Sequence, residues 1–241
     1  MVTRALGNAA TLGPMRWQGV IGDGGSCLVV QSGIGPVRAA EEVGLVATRL
    51  VVSCGCAAGL APWLRAGDLV IADRVVVLDR NGRPSATHPA LGEALAAWAL
   101  RAGFRAHLGT VVATPVVLQT GDAKVAAAGS GALAADMESG ALAGAALARG
   151  IPFAAVRVVV DEAADDLSWA GDAVDGDTGE IRVGAALGAL AGRPRLWPSA
   201  LRMGRRQQRA ARRLRAFMAA AFAAGRAPFF ADVAPATAAS H

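Results

Sequence analysis

The chain offers little from which a membrane span, a secretory leader or a disulfide framework could be built. Hydrophobic residues make up 54% of its 241 positions, yet no uninterrupted apolar run approaches the ~20 residues that cross a bilayer. Behind Arg4 the N-terminus is broken by Gly and Asn, where a leader needs an apolar core, so a cytoplasmic location is expected. Cys27, Cys54 and Cys56 are the three cysteines. Their number and spacing match no zinc site, so no metal is expected. A disulfide between Cys54 and Cys56 would be strained, and reduced, mostly buried small residues are the expectation. No internal repeat is visible.

Acidic residues are missing altogether from residues 193–226, which hold 10 arginines. The net charge of +5 therefore hides a remainder with 14 basic and 19 acidic residues. Arg202, Arg205, Arg206, Arg209 and Arg213 recur at helical spacing beside an apolar stripe of Met203, Ala210, Leu214, Phe217 and Ala221. Such a basic amphipathic helix has two readings. It packs on the domain and shows its arginines to water, or it lies peripherally on the anionic inner membrane face with its apolar side inserted. No nucleic acid partner is expected, because the arginines lack interleaved aromatics and the rest of the chain is acidic.

What is present is an alternation of strands and helices long enough to bury one core. Residues 26–31 read as a strand, followed by a glycine turn at Gly33 and Gly35 and a helix to about residue 49. A glycine turn opening a helix is a place where backbone amides hold an anion. Residues 50–53 read as a strand that ends in a run of small residues, 54–60, against which a ligand could lie. A strand to residue 78, a helix over 89–102, a strand over 104–114 and a helix over 121–128 follow. The pattern predicts an α/β domain over 1–192 with a mixed sheet covered on both sides, and a basic helical extension over 193–241. Nothing before residue 26 reads as a convincing strand.

The densest chemistry lies in Asp136-Met137-Glu138-Ser139-Gly140 and, one helix later, Arg157-Val158-Val159-Val160-Asp161-Glu162. Residues 137–149 are rich in Ala and Leu, with Asp136 able to cap the first turn and Gly150 and Pro152 to end the helix. Residues 151–160 are apolar except for Arg157, as suits a strand covered on both faces. Asp161 therefore emerges at the carboxyl end of a strand, the edge where open α/β sheets bind ligands. Asp136 and Glu138 could instead serve only the helix dipole, and Asp161 could be a turn residue. The polar, Gly-rich residues 165–179, with Trp169 as an apolar plate, are placed to cover a site at that edge.

Gly33-Ile34-Gly35 before a helix, Ser53-Cys54-Gly55-Cys56-Ala57-Ala58-Gly59-Leu60 before a Gly67-Asp68 turn, Asp136-Met137-Glu138-Ser139, and a strand ending at Asp161 together resemble the purine nucleoside phosphorylase and methylthioadenosine/S-adenosylhomocysteine nucleosidase superfamily. The likeness runs from about residue 27 to 165. It implies a three-layer αβα nucleoside phosphorylase-like fold with a central mixed sheet, here carrying a basic C-terminal helix. Within the superfamily the chain most resembles the hopanoid-associated phosphorylases, or adenosylhopane nucleosidases, through Asp136-Met137-Glu138-Ser139, Asp161-Glu162-Ala163-Ala164-Asp165 and the arginine-rich tail after Arg193-Pro194-Arg195.

The resemblance implies cleavage of the N-glycosidic bond of an adenine nucleoside, adenosylhopane above all, by a homo-oligomer whose neighbouring subunit completes the site. Asp161 and Glu138 would be catalytic, Asp161 sharing a proton with the purine and Glu138 accepting both ribose hydroxyls. Met137, Cys56 and Ala57 would line the nucleoside, and Gly33, Gly35 and Ser53 would form the nucleophile or phosphate loop. No cofactor is implied, with phosphate the alternative to water as co-substrate. The chain departs from its relatives at residues 6–10, which hold no glutamate to activate water, and at Val160, where serine is common. Hydrolysis and phosphorolysis both stay open, as do a soluble methylthioadenosine-type enzyme and a non-catalytic nucleoside- or lipid-binding protein.

Overall fold

Two segments rich in valine and alanine cross the middle of the molecule because almost nothing in them calls for water. The computed structural model describes residues 6–13, 15–31, 36–168, 195 and 197–230. After an N-terminal sheet of three strands, β4 (Val51–Gly59) and β9 (Phe153–Asp161) run parallel, with Val51 opposite Phe153 and Cys56 opposite Val158. Every β9 residue except Val160 is buried.

Strand β5 (Leu69–Leu78) pairs in parallel with β7 (Ala106–Ala113), and β7 pairs in parallel with the short β8 (Ala134–Asp136). Strand β8 is antiparallel to β4. The start of β5 pairs antiparallel with β9, Leu69 opposite Val158 and Ile71 opposite Val156, so β5, β7, β8, β4 and β9 close into a ring. Strand β6 (Pro84–Pro89) hangs antiparallel on the outside of β5, an edge position that tolerates proline.

Helices cover both sides of this mixed sheet. On one side α1 (Pro36–Gly44) packs against α4 (Ser139–Leu147) over a core that includes Val43, Ala57, Val75, Ala143 and Ala155. On the other, α2 (Glu93–Arg101) and the long α5 (Trp197–Ala223), followed by the short α6 (Ala227–Phe230), enclose Leu69, Ile71, Leu95, Val156 and Phe217. Helix α3 (Gly121–Ala128) covers a smaller cluster with Leu60, Val112 and Ala135. At the start of α4, a Cβ on Gly140 would fall 2.7 Å from Val77 and 2.9 Å from Ala113. Only glycine lets the helix sit this close to the sheet. At its other end Gly150, at φ +65, supplies the left-handed stop.

Several expectations change. The residues before 26 do form strands: β1 (Gly7–Gly13), β2 (Arg16–Val20) and β3 (Ser26–Val30) make a separate antiparallel sheet. Almost all of β1 is exposed, so it has no apolar alternation to reveal it, and backbone pairing holds it. The small residues after Ser53 continue β4 to Gly59 rather than ending it, because their backbones pair with β8 and β9 on either side. The helix expected from residue 89 starts at Glu93, since 84–89 are taken up as β6. Cys54 and Cys56 are exposed and Cys27 half-buried, not mostly buried. Alternation along β4 puts Ser53 and Ala57 on the buried side and the two thiols on the other.

Of the two readings of the basic helix, its apolar stripe is spent on the domain: Ala210, Phe217, Met218, Ala221 and Phe222 are buried in the shared core. The arginine face stays exposed, together with Trp197 and Leu201 in the first turns of the helix. No helix among the described residues is long and apolar enough to cross a membrane. Gly33, Gly35, Trp169 and the expected boundary at residue 192 lie outside the described residues.

Phe217 is fully buried against Trp98 and Phe104, with ring centroids 5.7 and 5.3 Å away. Phe217→Ala is expected to lower unfolding free energy by about 3–5 kcal/mol, measured by urea denaturation. A change within error would show that α5 is not part of the domain core.

Candidate active site

The site assembles because β4 lies between the ends of β8 and β9. Ala58 pairs with Ala135 of β8 on one side and with Asp161 of β9 on the other. The antiparallel register with β8, continued, carries Met137 alongside Cys56. The two motifs that are 25 residues apart in sequence therefore meet across one small-residue strand.

Asp136 ends β8 and is buried. It does cap α4: Oδ1 accepts from the Ser139 amide at 3.2 Å and Oδ2 accepts from the Ser139 hydroxyl at 2.5 Å. Its stronger engagement is a buried ion pair in which Arg157 Nε donates to Oδ2. Arg157, only 2% exposed, also donates through its terminal nitrogens to Ser53 Oγ and Ser139 Oγ at 2.6 Å each and to the Val156 carbonyl at 3.0 Å. A buried cation with this many acceptors is stable where an isolated one would not be. Ser53, expected on the phosphate loop, is 7% exposed with its hydroxyl committed to Arg157.

Met137 and Glu138 follow this anchor and are half-buried at the entrance of α4, Glu138 in the N-cap position. Ala57 is buried on the inner face of β4. Cys56 is exposed, yet the protein crowds round it enough that desolvation raises its thiol pKa; Arg157 pulls the other way, and the charges of Asp161 and Glu138 add to the rise.

Asp161 is 5% exposed at the end of β9. Burial pushes its carboxyl above the ordinary range, opposed by the Lys124 ammonium and reinforced by Asp165. Lys124 Nζ lies 2.6 Å from Asp161 Oδ2. The approach is off the hydrogen-bonding direction, so the contact is an ion pair. The same ammonium donates to the Glu162 and Asp165 carbonyls at 2.9 Å each. A carboxyl biased toward its protonated form at a strand end is equipped to give a proton to a ligand.

Asp161, Glu138, Met137, Cys56 and Ala57 are thus brought to one edge, with Ser53 below them in the buried network. Sequence reasoning missed Lys124, and gave Arg157 no partner. The signal for Arg157 was present, since one cation in a valine strand demands a buried anion. Lys124 offered only that it is the sole lysine of the chain. No group of three or more His, Cys, Asp or Glu among the described residues is arranged to hold a metal.

Comparison with known proteins supplies a family. The family described as the phosphorylase superfamily matches residues 15–187. The 5′-methylthioadenosine/S-adenosylhomocysteine nucleosidase of S. pneumoniae, solved with a transition-state inhibitor, is 21% identical over 91% of this chain and 93% of that one, with a TM-score of 0.63. The S-adenosylhomocysteine nucleosidase of Streptococcus pyogenes is 23% identical over 79% of this chain and 90% of its own, with a TM-score of 0.60. The methylthioadenosine/S-adenosylhomocysteine nucleosidase of Colwellia psychrerythraea, solved with adenine, is 25% identical over 68% and 77%, with a TM-score of 0.58. No curated protein matches the chain.

Arg157→Met leaves Asp136 as an uncompensated buried carboxylate and is expected to cost about 3–5 kcal/mol of stability, read by urea denaturation. Asp136→Asn with Arg157→Met should recover part of that loss. Absence of any recovery would show that the two side chains do not act as a pair.

Proposed function

The chain belongs to the phosphorylase superfamily, and on that footing we propose that it cleaves the N-glycosidic bond of an adenine nucleoside at the edge where Asp161 and Glu138 meet. The observation that carries this reading is that β4 is flanked on one side by a buried, proton-biased Asp161, opposite Ala58, and on the other by β8, whose Ala135 is also opposite Ala58 and which leads directly into Met137 and Glu138.

The chemistry follows from the bond. As the ribosyl C–N bond breaks, its electron pair goes to the purine and positive charge grows on the sugar. Asp161 gives a proton to the ring as it leaves. Glu138 accepts hydrogen bonds from the two ribose hydroxyls, which match its two carboxylate oxygens. Met137 packs under the sugar as a soft apolar surface, with Cys56 and Ala57 along the other side of the ligand. Water or phosphate completes the sugar, a role for which Gly33 and Gly35 are the proposed amide donors, since the Ser53 hydroxyl is already engaged by Arg157. No cofactor takes part. A neighbouring subunit of a homo-oligomer supplies the rest of the wall.

For the substrate we propose adenosylhopane, whose adenosine is joined through its 5′ carbon to a hydrocarbon. The arginine-rich helix supports this: Arg202, Arg205, Arg209, Arg212 and Arg213 are exposed along α5, and a peripheral protein on the inner membrane face would meet anionic headgroups there. A second reading, a soluble methylthioadenosine/S-adenosylhomocysteine-type enzyme, is favoured by the burial of the apolar stripe of α5 in the domain core.

Adenosylhopane and 5′-methylthioadenosine, each with and without phosphate, separate these readings by release of adenine and identity of the sugar product. Adenine from the lipid in preference to the small nucleoside is expected, and the reverse preference would establish the second reading. Asp161→Asn should remove most turnover, and Glu138→Gln should lose about 2–4 kcal/mol of transition-state stabilisation. Unchanged kinetics in both would refute the site. Sedimentation with anionic vesicles should show binding that fades as salt rises; equal binding to neutral vesicles would count against the arginine face.

A further inference from the structure

Lysine occurs once in this chain, at position 124, among 24 lysines and arginines in all. That one ammonium is buried, at 1% exposure, in the middle of α3. Helix α3 is fixed at its start, where the Thr120 side chain accepts from the Ala123 amide at 3.2 Å. Lys124 and Ala127 form its buried side, so the lysine stem lies against the sheet and its nitrogen reaches the end of β9. There it meets Asp161 Oδ2 at 2.6 Å and donates to the carbonyls of Glu162 and Asp165 at 2.9 Å. The loop beyond is tied back to the same region, with the Leu167 amide donating to the Gln119 carbonyl at 2.7 Å. An ammonium has three donors, and here each nitrogen contact is with the acid or the two carbonyls that follow it.

We propose that Lys124 is the positioning residue of Asp161: it holds the carboxyl at the strand end and supplies the fixed positive charge beside which the carboxylate forms as its proton passes to the purine. This rests on the reading of Asp161 as the purine-side acid. In the transfer the Asp161 O–H bond breaks and a purine N–H bond forms. The carboxylate stays beside an ammonium that keeps its own proton, and it is reprotonated from solvent after adenine leaves. A buried acid without such a partner would hold its proton too tightly to be a good donor. Lysine suits the task, because it is a compact point charge that can face an acid and two carbonyls at once, where a guanidinium spreads its charge and directs its donors within one plane.

The other charged group that bears on Asp161 is Asp165 in the following loop, while the Cys56 thiol on β4 feels Arg157, Asp161 and Glu138. Arg206 of α5 neutralises the far side of the loop, 2.6 Å from Asp165 and 3.7 Å from Glu162. Only Lys124 is recorded in ion-pair contact with Asp161 among the described residues.

The test is the pH profile of adenine release from 5′-methylthioadenosine and from adenosylhopane by the full chain, for the natural protein and for Lys124→Met and Lys124→Gln. Activity needs protonated Asp161 and is lost as pH rises through its pKa. Removing the ammonium raises that pKa, so the alkaline limb should move up by about 1–3 pH units, while kcat falls by about 10- to 100-fold and KM stays within about twofold. Lys124→Gln keeps N–H donors for the carbonyls and gives the same readout if the methionine variant does not fold. On an Asp161→Asn background, Lys124→Gln should add less than about a twofold loss, because it acts through the missing acid. An unmoved alkaline limb, or the full loss added on top of Asp161→Asn, would overturn the proposal. Wild-type turnover in Asp161→Asn would instead overturn the assignment of the acid itself.

Discussion

The ion pair between Arg157 and Asp136 is the interaction on which the site depends. It joins the middle of β9 to the end of β8, and through Ser139 and Ser53 it reaches the first turn of α4 and the floor of β4. Each of those elements brings something to the edge. The strand carrying Arg157 delivers Asp161 four residues later. The strand carrying Asp136 delivers Met137 and Glu138 immediately after it. A buried pair adds little net stability over a well-packed apolar alternative, but breaking it is costly. Its contribution is geometric: four of the five guanidinium N–H donors are met by Asp136, Ser53, Ser139 and the Val156 carbonyl, which ties the four elements to one another.

Two carboxylates at two strand ends thus have opposite surroundings. Asp136 has a guanidinium, a hydroxyl and an amide directed at it, so its charge is fully met. Asp161 has one ammonium and a dense, largely apolar setting that favours the neutral acid. The first is tied into the frame of the protein by its hydrogen bonds, and the second is pushed by burial toward the neutral acid. Two residues of one type thus sit in contrasting environments, and burial perturbs the carboxyl of the proposed acid, Asp161.

Much of this was legible in the sequence because it rests on patterns that are local. The valine run of β9, the Ala-rich helix after Ser139 and the emergence of Asp161 at the strand end follow from periodicity and from Gly150. The alternation that would announce an edge strand is absent in β1, and β8 has only three residues, too few to show a period. Helix α5 was readable as basic and amphipathic, but what its apolar stripe touches is a matter of tertiary packing. Lys124 was hidden for a similar reason. Its partner is 37 residues away, and the short helix that carries it shows no amphipathic signal. Arg157 was visible as an oddity, and the arithmetic of buried charge could have named an anion for it.

The antiparallel contact between β5 and β9 closes five strands into a ring. An open sheet can splay at an edge to admit a bulky group, whereas a ring parts only by giving up a ladder of backbone bonds. On the proposed reading, a group attached to the 5′ end of a nucleoside at this rim would pass outward, over the rim, rather than between the strands. On that reading the breadth of the substrate range would be set by the segments that border the rim, which can vary in length and composition while the ring stays as it is.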